Sequence, residues 1–512
     1  MSRARRLRRQ QLQPAATEAS ATADADAAQA PVRHASSWLA AAFLLPNLGA
    51  LACGFVFDDR VVLVENATLH VQSLAQLAHI WKSGYWPDNR GLELYRPVAQ
   101  TVWALTWAAG GSTHPALFHA IGLAFGLAVV LLLYRLLLTV QTPPRIAFLA
   151  AALFALFPIH TDATTSVVGS SELMAAAFAL GAVILYYRNQ PVRALILFAL
   201  AVFSKESAAA FAALPLAFPR QRPRVRDSWL VAAGAGAIIA TALIAHNVLS
   251  RSSQIPAIDN PTALVDAGKR WITALWVQCL YLSKSLVPIT LSADYSYKQI
   301  RLVMGLDDWR AWAGLALAGS AVYLAWRKPE FRSSVLAYAI LFSPTANLVF
   351  PIGTMMGERL IYAPSLGLAL LLAILLARTR YWKPALIAVA LVFGARTAVR
   401  NLDWLNPQRF YEKLVQTSPD SAKSHYSIGV DYAANGDDTR AVAAYDRAIE
   451  IFPAYAEAYR NRGNALARLG RREEAMASYR QALRFDPGDF AAGSNLRELE
   501  AGHAVYPPRA HL

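Results

Sequence analysis

Apolar runs recur along the first 400 residues of this chain, at 37–57 and then at about 116–138, 146–158, 172–187, 193–203, 207–218, 228–249, 310–326, 333–350, 357–377 and 383–399. A helix on the surface of a soluble domain is apolar along one stripe only; runs that are apolar all round, repeated this often, call for lipid as the solvent. The first run, at roughly 20 residues, makes a helix of about 30 Å, the thickness of a hydrocarbon core. Composition agrees, since 55% of the 512 residues are hydrophobic and the mean hydropathy is +0.30. The chain reads as an all-α, polytopic integral membrane protein.

The net charge of +15 raises the question of nucleic acid. The basic residues instead fall in short blocks between apolar runs, at Arg135 with Arg145, Arg188 with Arg193, 220–226, 327–332 and 378–383. That distribution is the mark of cytoplasmic loops, so nucleic acid is discounted as a partner. Residues 1–36, which carry Arg3, Arg5, Arg6, Arg8 and Arg9 and then an Ala, Thr, Asp and Gln tract, read as a disordered cytoplasmic tail. The first run is too long for the apolar part of a secretory signal and is expected to stay as a span. With every basic block inside, about eleven spans satisfy the alternation, and the gaps at 58–115, 159–171, 204–206, 250–309 and 351–356 fall outside with everything after residue 400. Two further apolar stretches, 95–110 and 271–287, would break the parity if either crossed alone and are assigned to the outer interface or to re-entrant positions. A bacterial inner membrane is the expected location, with the amino terminus cytoplasmic and the final domain periplasmic.

That final domain differs in kind. Gly429, Gly436, Ala441, Tyr445, Ala448 and Pro453 recur 34 positions later as Gly463, Gly470, Ala475, Tyr479, Ala482 and Pro487. A period of this length, with small residues where helices cross and Pro closing the second helix, predicts a tetratricopeptide (TPR) α-solenoid. Its expected extent is 401–500, with a short tail at 501–512, after a membrane domain over 37–400. Two and a half repeats stack too little surface to stand alone, so the array is expected to pack on the membrane domain or on a partner.

Ionisable residues at the edges of apolar spans are costly and usually functional. Here they gather in the gaps assigned to the outer side. The clusters are Asp58 and Asp59 after the first run, Tyr95-Arg96-Pro97, His160-Thr161-Asp162 continuing to Glu172, Ser204-Lys205-Glu206, Asp294-Tyr295-Ser296-Tyr297, and Gly357-Glu358-Arg359. Adjacent carboxylates at a membrane surface suit a general base, because their repulsion favours proton uptake or a cationic neighbour. The planar fork of Arg359 suits a phosphate, with Lys205 and Arg96 as further candidates. Each also has a bland reading: helix ends for His160, a local ion pair for Lys205 with Glu206, loop or capping roles for Asp162 and Asp294. No HExxH, paired CxxC, Walker loop or GxSxG occurs, and the two cysteines, Cys53 and Cys279, form no pattern of disulfides or metal ligands. A transporter would place polar groups at mid-span and show internal repeats. A non-catalytic TPR scaffold would need no acidic pair.

The ordered set FDD, YRP, FPIHTDATTSVVGSSELMA, SKES, DNP at 259–261, LSADYSY and GERLIYAPS, closed by a TPR array, resembles the transmembrane-and-TPR O-mannosyltransferases of the GT-C glycosyltransferase group. The resemblance covers roughly residues 37–490. It implies transfer of a mannose-like sugar, with inversion, from a polyprenyl-phosphate donor to a protein or other outer-side acceptor. Divalent metal is not indicated, and the expected contacts are donor lipid, membrane lipid and, through the TPR module, an acceptor or partner protein. By position the resemblance makes Asp58 and Asp59 the catalytic acidic pair, Asp58 the base. Arg359 matches the arginine of ERxxYxPS and Glu172 an acidic residue of the second outer loop. Arg96 and Lys205 join Arg359 as donor-phosphate groups, with Tyr95, His160, Glu206 and Glu358 in support. One departure is that Gly169-Ser170-Ser171 stands where the family often has a basic residue before the acid.

Overall fold

The structure, a computed structural model of the chain, describes residues 32–87, 94–111, 114–219, 224–249 and 255–503. Most of the two expected tails lies outside them. Every regular element among the described residues is helical.

Five helical stretches are long and apolar enough to cross a membrane: Ala35–Ala52, Pro115–Thr139, Ser170–Tyr187, Arg226–Ala245 and Trp382–Trp404. A sixth is possible if Pro144–Leu156 and Pro158–Thr165, bent by 53°, form one broken span. This corrects the expectation of about eleven. The other runs are real but cut short by their own sequence. The runs at 193–203 and 207–218, on either side of Lys205 and Glu206, form a 14-residue helix, Pro191–Ser204, and a 12-residue 3-10 helix, Glu206–Ala217. Pro344 follows the end of Pro329–Phe342, and Pro364 delays the next helix to Ser365–Ala377; proline lacks the N–H that would continue the ladder. Trp309–Arg327 has the length, but Trp, Gly, Ser and Tyr dilute its hydropathy. Of the two ambiguous stretches, 95–110 gives only the ten-residue Pro97–Thr106 helix and a following turn. The other gives Ala267–Leu286, which carries Lys269, Arg270 and Lys284. Neither is among the spans.

The short helices nevertheless run between the same two ends. Basic blocks pair across helix ends: Arg378 bonds Glu330 at 3.1 Å and Arg145 reaches the Ala377 carbonyl at 3.4 Å, while the Arg224 amide donates to Asn189 at 3.0 Å. At one end lie the starts of Ser170–Tyr187 and Glu206–Ala217 and the finish of Pro191–Ser204, where the motif residues sit.

The repeat array follows its sequence closely. Two helix pairs, Ala422–Ala434 with Asp438–Ile451 and Ala456–Arg468 with Arg472–Phe485, stand between Pro407–Thr417 and Phe490–Glu500. Gly429 and Gly463 are needed for contact: a Cβ on either would lie 2.7 Å from the ring of Tyr445 or Tyr479, both fully buried. Gly436 and Gly470 turn the chain between paired helices with φ of 87° and 75°, a region costly for other residues.

The array is fused to the membrane domain through a shared core. Cys53, Val56 and Phe57 pack with Trp404, Phe410, Tyr411 and Leu414 and with Ile428 and Ala444 of the first repeat. The Gly54 amide donates to the Leu405 carbonyl at 3.2 Å, and Phe57 takes the left-handed conformation, φ 54°, with its ring 5.6 Å from that of Phe410. The loop that presents Asp58 and Asp59 therefore rests on the TPR module.

Candidate functional site

All six motif clusters are joined by direct hydrogen bonds. Asp58 and Asp59 follow the reversal at Phe57 and point to different partners. Asp58 accepts from Arg359 Nη2 at 2.9 Å, an ion pair whose side chains stay 23% and 31% exposed. Asp59 is buried, and its two oxygens accept from Ser166 Oγ at 3.0 Å and from the amides of Val167 and Val168 at 3.0 and 2.8 Å. Burial pushes the Asp59 carboxyl up to about 7 against the pull of those donors. With every described contact committed to the 166–168 loop, Asp59 pins that loop and offers the substrate no open face.

Arg359 stands on the short 3-10 turn Glu358–Ile361, and its backbone amide donates to Asp162 Oδ2 at 3.1 Å. Two more ion pairs lie beside it. Lys205 Nζ meets Glu172 Oε1 at 2.5 Å, both side chains nearly buried. Arg96 forks onto Glu206, Nε to Oε2 at 2.9 Å and Nη2 to Oε1 at 2.6 Å, the carboxylate facing solvent. Burial lowers the Lys205 ammonium below its usual value, and Glu172 offsets part of that. The pairs are close enough to feel one another: Arg96 and Arg359 both act on Lys205, and Glu172 acts on Arg96. At their centre the buried ring of Tyr85 lies under Arg96, 5.0 Å from its guanidinium carbon, and its hydroxyl is in the field of Asp58, Asp59 and Arg359.

Two of the expected supporting residues stand apart. His160 is buried among Phe154, Phe157 and Tyr362 and bonds Ser365 Oγ at 2.8 Å, which is the work of helix packing. Tyr95 donates to the Trp81 carbonyl at 2.9 Å and packs against Phe203, positioning the chain before Arg96. Glu358 turns away from the ion pairs, accepting from Tyr295 Oη at 2.5 Å and the Ser292 amide at 2.7 Å. Tyr85 and Asp162 carried no strong sequence signal, since a lone Tyr in an aromatic loop and an Asp in a Thr-rich turn have ordinary explanations. Among the described residues no group of three or more His, Cys, Asp and Glu is arranged to hold a metal ion.

Comparison with known proteins finds relatives of one kind. The profile described as protein O-mannosyl-transferase TMTC, DUF1736 matches residues 250–322, and TPR profiles match 429–470 and 456–489. A protein O-mannosyl-transferase of Caenorhabditis elegans is 27% identical over 437 residues, covering 80% of this chain and 62% of its own. Protein O-mannosyl-transferase TMTC3 of Mus musculus is 26% identical over 494 residues, covering 86% and 53%. Along most of its length the chain is similar to these O-mannosyl-transferases. It spans between about half and two thirds of the length of these relatives. Among solved structures, the Archaeoglobus fulgidus oligosaccharyltransferase aligns with 80% of this chain and 58% of its own at 14% identity and a TM-score of 0.38. The TMTC profile falls on the segment that carries Asp259, Asp294 and Tyr295, which is the platform the repeat array docks on: Lys423 pairs with Asp259 at 2.6 Å, and the Ala422 amide donates to the Tyr297 carbonyl at 2.7 Å.

Proposed function

We propose that this chain is a membrane glycosyltransferase that moves a mannose-like sugar from a polyprenyl-phosphate donor to a hydroxyl of a protein acceptor. The observation that carries the reading is the Asp58–Arg359 pair, a partly exposed carboxylate beside a partly exposed guanidinium, with the Lys205 and Arg96 pairs adjacent. Such a donor brings its own leaving group. The acceptor hydroxyl gives its proton to Asp58 as its oxygen bonds to the anomeric carbon; the bond from that carbon to the phosphate oxygen breaks with inversion, and polyprenyl phosphate departs onto Arg359. Lys205 and Arg96 add positive charge around the phosphate, Asp59 and Asp162 hold the loop and turn that carry the site, and Glu172 and Glu206 orient the cations.

The shortness of the flanking helices supports a lipid-linked donor. Pro191–Ser204 and Ser365–Ala377, at 14 and 13 residues, reach only about 20 Å, and the 12-residue 3-10 helix about 24 Å. A hydrocarbon core is about 30 Å thick, so charged groups at their ends sit below the plane of the headgroups, at the depth of a lipid phosphate. The basic ends face the cytoplasm on this reading, and the site and the TPR array face the periplasm of a bacterial inner membrane. The array offers a concave face to the acceptor or a partner protein. Comparative mass spectrometry of periplasmic proteins from cells with and without the gene is the test: hexose on Ser or Thr residues that disappears with the gene supports the reading, and an unchanged glycoproteome removes it.

A further inference from the structure

One five-residue segment, 292–296, both contacts the TPR array and holds the turn carrying Arg359. On the array side, Asp294 Oδ2 accepts from Ser424 Oγ at 2.9 Å and from Ser421 Oγ, and the Asp294 carbonyl accepts from Ser418 Oγ at 2.6 Å. Ser292 Oγ meets Ser418 Oγ at 2.7 Å and accepts from Thr417 at 3.1 Å, and Ser296 Oγ lies 2.9 Å from Ser421 Oγ. On the site side, the Ser292 amide and the Tyr295 hydroxyl both donate to one oxygen of Glu358. Ser292, Ser418, Ser421, Ser424 and Glu358 are wholly buried, so water does not stand in for any lost partner.

Glu358 and Arg359 are consecutive on the 3-10 turn Glu358–Ile361, where successive side chains diverge by about 120°. Glu358 is held by segment 292–296 and Arg359 reaches Asp58. Rotating the turn moves both. The hold on Glu358 rests on Oε1, because Oε2 is buried with no hydrogen-bond partner among the described residues. Loss of the Tyr295 hydroxyl leaves a single amide to fix the carboxylate.

We propose that segment 292–296 couples the repeat array to the charged site, with Glu358 the positioning residue for Arg359, so that strain or engagement at the array is felt by the group that receives the donor phosphate. The proposal rests on the reading of Arg359 given above, and its test separates the two. The full chain in nanodiscs is compared as wild type, Tyr295→Phe, Asp294→Asn, Arg359→Lys, and Tyr295→Phe with Arg359→Lys. Arg462→Ala is the control, since that side chain pairs with Asp446 and Ser478 inside the array. Two quantities are read: the affinity for polyprenyl-phosphate mannose, and amide hydrogen exchange in residues 357–362. Tyr295→Phe should weaken donor binding by about three- to tenfold, and the same change should cost little once Arg359 is already Lys. Exchange in 357–362 should rise about tenfold in Tyr295→Phe and Asp294→Asn and stay unchanged in the control. Unaltered exchange in Tyr295→Phe overturns the coupling, as does a donor-affinity loss that adds in full to that of Arg359→Lys. If wild type binds no donor at all, the glycosyltransferase reading is what fails, and the exchange measurement still decides the coupling.

Discussion

Replacing Asp58 by Asn should do two opposite things at once. Arg359 is engaged by Asp58 at 2.9 Å, so an incoming phosphate has to displace that carboxylate. At an effective dielectric of about 20 the attraction between such charges is about 4 kcal/mol. Both side chains are partly exposed, and exposed pairs return only up to about 1 kcal/mol after hydration and side-chain ordering are counted. Removing the competing charge should therefore tighten donor binding, by about fivefold for 1 kcal/mol. Turnover should fall about 10²- to 10⁴-fold, because Asn keeps the shape but takes no proton. The assay is donor affinity and single-turnover transfer for the same nanodisc preparation. Donor affinity that weakens, or turnover that stays near normal, refutes the view of this pair as a base and a phosphate group that mask one another until the donor arrives.

Other substitutions separate structural from chemical roles. Asp59→Asn replaces an acceptor that serves two backbone amides and a hydroxyl with a group that turns an NH₂ toward one of them, and should destabilise the chain by about 1–3 kcal/mol in thermal or denaturant unfolding; unchanged stability removes its role as the pin of the 166–168 loop. Glu358 titrates at about 7 in the folded chain, chiefly through burial, against 4.5 as its ordinary value, so between those pH values the folded state holds the extra proton. Its contribution to stability is present in full below about pH 4.5 and is lost as pH rises through 7, and Glu358→Gln should flatten that part of the melting-temperature profile; an unaltered slope means that another group titrates there. Gly463→Ala drives a methyl to 2.7 Å from the Tyr479 ring and should lower the stability of the array by about 1–3 kcal/mol, measured by limited proteolysis after residue 420; wild-type resistance contradicts the close packing.

The convergence of the site was legible because polar residues at the ends of apolar runs share a side whenever the runs alternate, and FDD, YRP, SKES and GER all fell there. The repeats were legible through the 34-residue recurrence of Gly429 and Tyr445 as Gly463 and Tyr479, since each pair solves the same helix crossing. The span count was not, because hydropathy marks apolar runs and not their length as helices: Pro344 and Pro364 cut the runs 333–350 and 357–377, which look continuous in composition, and the runs 193–203 and 207–218 are each too short to cross. The division of labour in the acidic pair was hidden as well. Adjacent aspartates look alike in sequence, and only the approach of residues 166–168 to one of them tells which is buried. Asp294 read as a loop residue because its serine partners lie about 130 positions away, in helices whose own pattern describes the repeat.

The central claim is transfer from a lipid-linked sugar at the Asp58–Arg359 pair. It is tested most directly by reconstituting the purified chain with polyprenyl-phosphate [³H]mannose and a Ser- and Thr-containing acceptor protein, and counting label on the acceptor. The account predicts donor-dependent labelling by wild type that is lost in Asp58→Asn and Arg359→Ala and kept in Arg462→Ala. Labelling that persists undiminished in Asp58→Asn and Arg359→Ala, or that is absent from folded wild type with every polyprenyl-phosphate sugar supplied, contradicts it.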